Sequence, residues 1–135
     1  MAVNRNVHQW LKKSAENLRL AKLILNFEEK FYEHVCFNTQ QSVEKAIKGY
    51  LTLHKIRFDK THNIAALVAL VALVDNNLAA KLKPAETLTK FAVRIRYPEE
   101  VGDTLVVDFK LAKHTIEIAD QVFELLKYIL AEDHE

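Results

Sequence analysis

The sequence predicts an all-α protein, folded as an antiparallel up-and-down bundle of four to five helices. Three observations predict it. The chain has only two glycines and two prolines in 135 residues, so tight turns are few and strands bounded by Gly or Pro are almost absent. Its apolar residues recur at spacings of three and four, the period of a helix packed on one face. Half of its residues are hydrophobic, enough for one core at this length, and the length fits a single domain over 1–135.

The first helix is expected from about His8 to Asn26, with Leu11, Ala15, Leu18, Ala21 and Leu25 on one stripe and Trp10 beside it. "NFEEKF" breaks the pattern. The second helix runs from about Phe31 to His54. Tyr32, Val35, Cys36, Thr39, Val43, Ala46, Ile47 and Tyr50 form its apolar face, an arc about 120° wide. Gly49 inside this helix costs about 1 kcal/mol against alanine, which either a close neighbour or chance explains. Thr61 or Asn63 can cap a third helix from Ile64 to about Val74, apolar nearly all round and ended by "DNNLAAKLK". Pro84 suits the first turn of a fourth helix with Leu88, Phe91, Ala92 and Ile95 inside. Pro98 disfavours helix at Tyr97 and ends it near Arg96. "EEVGDTLVV" is a loop. Asp108 can cap a last helix to about Ala131, with Leu111, Ile118, Val122, Leu125 and Ile129 inward.

Nineteen Lys and Arg against eighteen Asp and Glu give a net charge of +1, without the basic excess of a nonspecific polyanion binder. The single cysteine, Cys36, makes no intrachain disulfide and fits a reducing, cytoplasmic setting. The N-terminal "MAVNRNVHQWLKK" has no apolar signal core. The longest apolar run, Ile64 to Val74, falls short of the about 20 residues that span a bilayer, so no membrane association is expected. Two glycines exclude the Gly-rich phosphate loops. The sequence also lacks HExxH, a Cys pair, GxSxG and any Glu three residues before a His, so no metal site or cofactor is expected.

Three polar sets remain. In "FNTQQSVEKAIKGYL", Asn38, Gln41, Glu44, Lys45 and Lys48 fill an arc roughly opposite the apolar face, and Phe37 falls within it. Composition alone favours a solvated surface there, whereas an aromatic in a polar arc points to a groove or partner surface. In "DKTHN", His62 stands where free N–H groups at a helix start favour an anion; the plain alternative is a cap or a bridge to another loop. In "RIRYP", Arg94 and Arg96 point to different sides of their helix. Arginine suits phosphate or carboxylate through its planar fork, and Tyr97 is able to stack on a base.

Taken in order, "WLKKSAENLRLAKLIL", "FYEHVCFNTQQSVEKAIKGYL", "THNIAAL" and "RIRYP" resemble the HEPN domain, the prokaryotic and eukaryotic nucleotide-binding helical domain, over nearly the whole chain. The resemblance implies a helical bundle that often forms a homodimer. It also implies, for many members, a small nucleotidyltransferase-type partner protein in a toxin–antitoxin-like pair. Other members cleave RNA without metal, using an Arg followed by a His after four to six residues near the start of a late helix. Here the positions after Arg94 and Arg96 hold Pro98, Glu99, Glu100, Val101 and Gly102 instead, and His114 is far downstream. Arg57 and His62 match the spacing, but in the connector before the third helix; they are the candidate catalytic pair. The resemblance thus implies a noncatalytic module that binds a nucleotide or a nucleotidyltransferase partner. The alternatives are a metal-independent endoribonuclease and a structural interaction protein without a ligand. The implied ligand-binding set is Gln41, Lys45, Lys48, His62, Arg96 and Tyr97, arranged in a pocket between the second helix, the start of the third and the "RYP" turn. A structural rival is that the same residues tie the second helix to that turn.

Overall fold

The computed structural model describes residues 2–95 and 105–133. These form six α-helices and one 3-10 helix and no strand: α1 (Ala2–Leu25), α2 (Tyr32–Leu53), α3 (Ile64–Val71), α4 (Asn76–Leu82), the 3-10 helix (Lys83–Leu88), α5 (Lys90–Arg94) and α6 (Phe109–Asp133). The expected all-α bundle is the observed fold class.

Side-chain pairings set the helix directions. Asn17 meets Asn38, Ser14 meets Ser42, and Trp10 lies against Gly49, so numbers fall along α1 as they rise along α2 and the pair is antiparallel. His62 reaches Glu44 and Arg94 reaches Glu33, so the segment from α3 to α5 returns against α2 as a third leg. Thr115 touches Cys36, while Leu130 lies beside Gly49, so α6 runs parallel to α2, and α1 and the third leg run the other way. The up-and-down order follows. In this arrangement α2 is central and is buried on nearly every side.

The expected stripes on α1 and α2 face the core: Leu18, Ala21, Val35, Cys36, Val43, Ala46, Ile47 and Tyr50 are all buried. On α6 the core line is centred one step away from the expected one. Ala112, Ile116, Ala119, Val122, Leu126 and Leu130 are buried, and Leu111, Ile118, Leu125 and Ile129 pack on its flank. Small alanines at the innermost positions let α6 approach α2 closely, which a count of large apolar residues passes over.

Caps explain most helix ends. The Asn63 side chain accepts from the Ala66 N–H at 3.2 Å, and the Thr61 hydroxyl accepts from the Asn63 N–H. The Asp108 carboxylate accepts from the Leu111 N–H at 2.9 Å. At the end of α2 the Ile56 N–H donates to the Leu51 carbonyl and the Lys55 N–H to the Thr52 carbonyl. With Lys55 at φ 57°, this is a Schellman ending in which a lysine holds the left-handed position usual for glycine. The third helix stops at Val71 rather than Val74, because Asp75 opens a separate helix by capping the Leu78 N–H at 3.0 Å. The "DNNLAAKLK" segment is therefore α4 and not a terminator. Pro84 lacks the N–H needed to continue α4, and the chain tightens into the 3-10 helix before resuming as α5. Since Asp75 alone starts α4, Asp75→Ala should cost about 0.5–2 kcal/mol, read as a lower urea midpoint with an unchanged slope.

Candidate functional site

The polar arc of α2 is not a wet surface. Asn38, Gln40, Gln41, Ser42, Glu44 and Lys48 are all buried, and Lys45 is half-buried. A solvated face is the expectation from composition because a helical wheel has no knowledge of what lies above it. Here α1 covers one flank of the arc and the connector leading to α3 covers the other.

Buried polar groups need partners, and these have them. On the α1 flank, the Lys45 ammonium donates to the Asn17 side-chain oxygen at 2.8 Å. The Asn17 amide donates to Asn38 at 2.9 Å, and the Asn38 amide donates to the His34 carbonyl. The Ser14 hydroxyl donates to the Ser42 carbonyl at 2.6 Å. On the other flank Glu44 is the hub. Its Oε2 accepts from the Lys48 ammonium at 2.9 Å. Its Oε1 lies 2.9 Å from His62 Nδ1 and accepts from the Gln40 amide at 3.0 Å. The Gln40 amide also reaches the His62 carbonyl, while its own oxygen accepts from the Gln41 amide at 2.7 Å.

Electrostatics follow from this geometry. Burial by itself would raise the Glu44 pKa, but hydrogen bonds from Lys48, His62 and Gln40 outweigh it and hold the carboxyl below its ordinary value. Glu44 is therefore ionised near neutrality and only accepts, so the facing Nδ1 of His62 must carry a proton. Nε2 is left as the ring nitrogen open to a ligand, on a side chain that is 52% exposed. Burial lowers the Lys45 pKa, Glu44 opposes that shift, and Lys13 and Lys48 add to it. Cys36 is buried in the core and its thiol is pushed up to about 11, chiefly by burial; it packs and is no nucleophile.

Of the candidate residues, the structure brings Gln41, Lys48 and His62 into one network around Gln40 and Glu44. Lys45 belongs to the adjoining Asn17 network. Arg57 is exposed on the connector. Arg96 and Tyr97 lie outside the described residues. Their neighbour Arg94 faces inward: its Nε pairs with Glu33 and its terminal nitrogen donates to the Leu105 carbonyl at 3.0 Å. That arginine ties α5 to the first turn of α2. The first N–H groups of α3 are largely taken, since Ile64 donates to the Thr89 hydroxyl and Ala66 to Asn63; an anion there would rely on side chains.

Three participants lie outside the predicted set. Gln40 sits four residues before Glu44, a spacing visible in the sequence, but it borders the apolar face and falls outside the polar arc. Trp10 and Phe58 flank the Lys48 ammonium at 5.7 and 5.8 Å from their ring centres; a contact between residues so far apart in the chain has no sequence signal. No group of three or more His, Cys, Asp or Glu able to hold a metal occurs among the described residues. No described helix is long and apolar enough to cross a membrane.

An all-helical bundle with a buried charged ridge on its second helix, and a histidine at the entry to its third, defines a small domain built around an internal ionic site. The chain belongs to the HEPN domain family, which it matches over residues 7–129. Among solved structures it is similar to ST0689, an archaeal HEPN homologue, at 27% identity and a TM-score of 0.70, covering 92% of this chain and 97% of that one. It shares its fold with TT1696 from Thermus thermophilus at 24% identity and a TM-score of 0.67, covering 90% and 96% of the two chains. No curated protein sequence matches it.

Proposed function

We propose that this HEPN domain is a noncatalytic module that binds a phosphate-bearing ligand, a nucleotide or RNA, at His62. One observation carries the reading: His62 is half-exposed while its Nδ1 is committed to a buried, ionised carboxylate. That arrangement holds the ring by Nδ1 and leaves Nε2 as the nitrogen able to meet a ligand. The connector leading to it exposes Lys55, Arg57 and Lys60 against Asp59, a local basic excess that favours an anion. Lys48 and Gln41 serve this site from behind, by holding Glu44 and Gln40. Arg96 and Tyr97 remain part of the proposal as the groups that would close it from the "RYP" turn. The reading includes a homodimer, checked by whether light scattering gives twice 15.6 kDa, and a nucleotidyltransferase-type partner protein in a toxin–antitoxin-like pair.

The buried carboxylate behind His62 also favours a second reading, metal-independent RNA cleavage. An imidazole oriented this way suits proton transfer at a 2′-hydroxyl or leaving oxygen, with Arg57 on the phosphate. One experiment separates the two. The purified protein is incubated with single-stranded RNA in EDTA, and both binding and chain length are followed. Binding without cleavage, weakened at least ten-fold in His62→Ala, is the expected result. Cleavage abolished by His62→Ala would favour the enzyme. RNA or nucleotide bound equally well by wild type and His62→Ala would overturn the site.

A further inference from the structure

We infer that the cleft between α1 and the C-terminal turns of α2 is a nucleobase subsite, with Trp10 as its stacking surface. The inference rests on the phosphate-bearing ligand proposed above and names where its base goes. The cleft has a volume of about 400 Å³ and is lined by Asn6, Gln9, Trp10, Lys13 and Thr52. It is joined to His62 by a short run of contacts. Glu44 holds His62 through one oxygen and Lys48 through the other, and the Lys48 ammonium lies over the Trp10 ring. A single lysine therefore separates the cleft from the carboxylate that orients the histidine.

Trp10 is held for the task. Its Cβ is so close to α2 that a Cβ on Gly49 would stand 3.2 Å from it, and Phe58 meets its ring edge-on at 6.3 Å between centres. The ring is partly open and stands at the wall of the cleft. A rigid aromatic loses little entropy when a base stacks on it. The Asn6 and Gln9 amides offer both donors and acceptors, as a base edge requires, and the exposed Lys13 ammonium adds a charged donor at the same wall. The shared ligand chemistry is a base on a phosphorylated ribose, either free mononucleotide or a single-stranded RNA.

Trp10 is the only tryptophan in the chain, so the emission reports on this one ring and its surroundings. The test titrates the protein with AMP, a short single-stranded oligoadenylate and ribose 5-phosphate, following Trp10 fluorescence and, in parallel, heat of binding. AMP or the oligomer should quench the emission, and ribose 5-phosphate should not. Preference for AMP would mark a nucleotide ligand and preference for the oligomer an RNA. Trp10→Leu should weaken base-bearing ligands about ten-fold or more while leaving ribose 5-phosphate binding unchanged. Lys13→Gln, on an exposed side chain, should weaken AMP several-fold without altering the circular dichroism, which keeps the test decisive if Trp10→Leu fails to fold. AMP binding that needs His62 but leaves the emission and the Lys13→Gln affinity unchanged would overturn the subsite and spare the phosphate site. Absence of heat and quenching with every ligand would overturn both.

Discussion

Glu44→Ala is expected to destabilise the protein by about 3–5 kcal/mol, the cost of leaving one member of a buried ion pair without the other. The Lys48 side chain is 9% exposed and that of Glu44 4%, so water is not at hand to replace the carboxylate. Without it the ammonium retains, among the described residues, the rings of Trp10 and Phe58, and cation–π contacts of about 0.5–2 kcal/mol do not match a charged hydrogen bond in a dry site. Gln40 and His62 lose their shared acceptor at the same time. Urea unfolding measures the loss, and a cost below about 1 kcal/mol would mean that the carboxylate does not hold Lys48. Glu44→Ala combined with Lys48→Met should recover much of the stability, because a pair replaced by apolar groups no longer strands a charge.

The same carboxylate sets an acid limit. Its pKa is lower in the folded protein than in the unfolded chain, so the unfolded state binds the proton more readily. The stability it contributes is complete above the unfolded value of about 4.3 and is lost as pH falls through the folded value. Glu44→Gln should flatten that part of the stability–pH curve, measured as the change in urea midpoint between neutral pH and the acid side.

Gly49→Leu should cost about 1–3 kcal/mol or more, because the added atoms have nowhere to go. A Cβ at Gly49 already meets Trp10 Cβ at 3.2 Å, with Leu130 Cδ1 at 3.7 Å and the Val7 carbonyl at 3.8 Å. The first of these is fixed to the α1 backbone and does not swing aside, so a branched side chain has to push α1 away from α2. Gly49→Ala is the informative control. It gains about 1 kcal/mol of helix propensity against the strain of one tight contact, so the two nearly cancel. A Gly49→Leu protein as stable as wild type in thermal unfolding would show that α1 does not pack here. The glycine in mid-helix thus reflects close helix approach, the first of the two explanations open to the sequence.

The sequence by itself determined the helical class, the core faces of α1 and α2, and the cap at Asp108, and it narrowed the cap of α3 to Thr61 or Asn63. Each of these depends on residues a few positions apart, where helical period and backbone hydrogen bonding leave little choice. The start of α4 was equally local, and Asp75 carries its signal; it was hidden because the surrounding alanines and leucines continue the apolar run of α3. The fate of the polar ridge was different. Asn38, Gln41, Glu44, Lys45 and Lys48 have the composition of a wet face, and only the packing of α1 and the connector over them removed the water. Burial is a property of neighbours brought together by the fold: Asn17 for Lys45, Trp10 and Phe58 for Lys48, His62 for Glu44. Local spacing set which side chains share a side of α2, and tertiary structure alone decided that this side faces the inside, since the free energy of a charge depends on what surrounds it and not on its place in the chain.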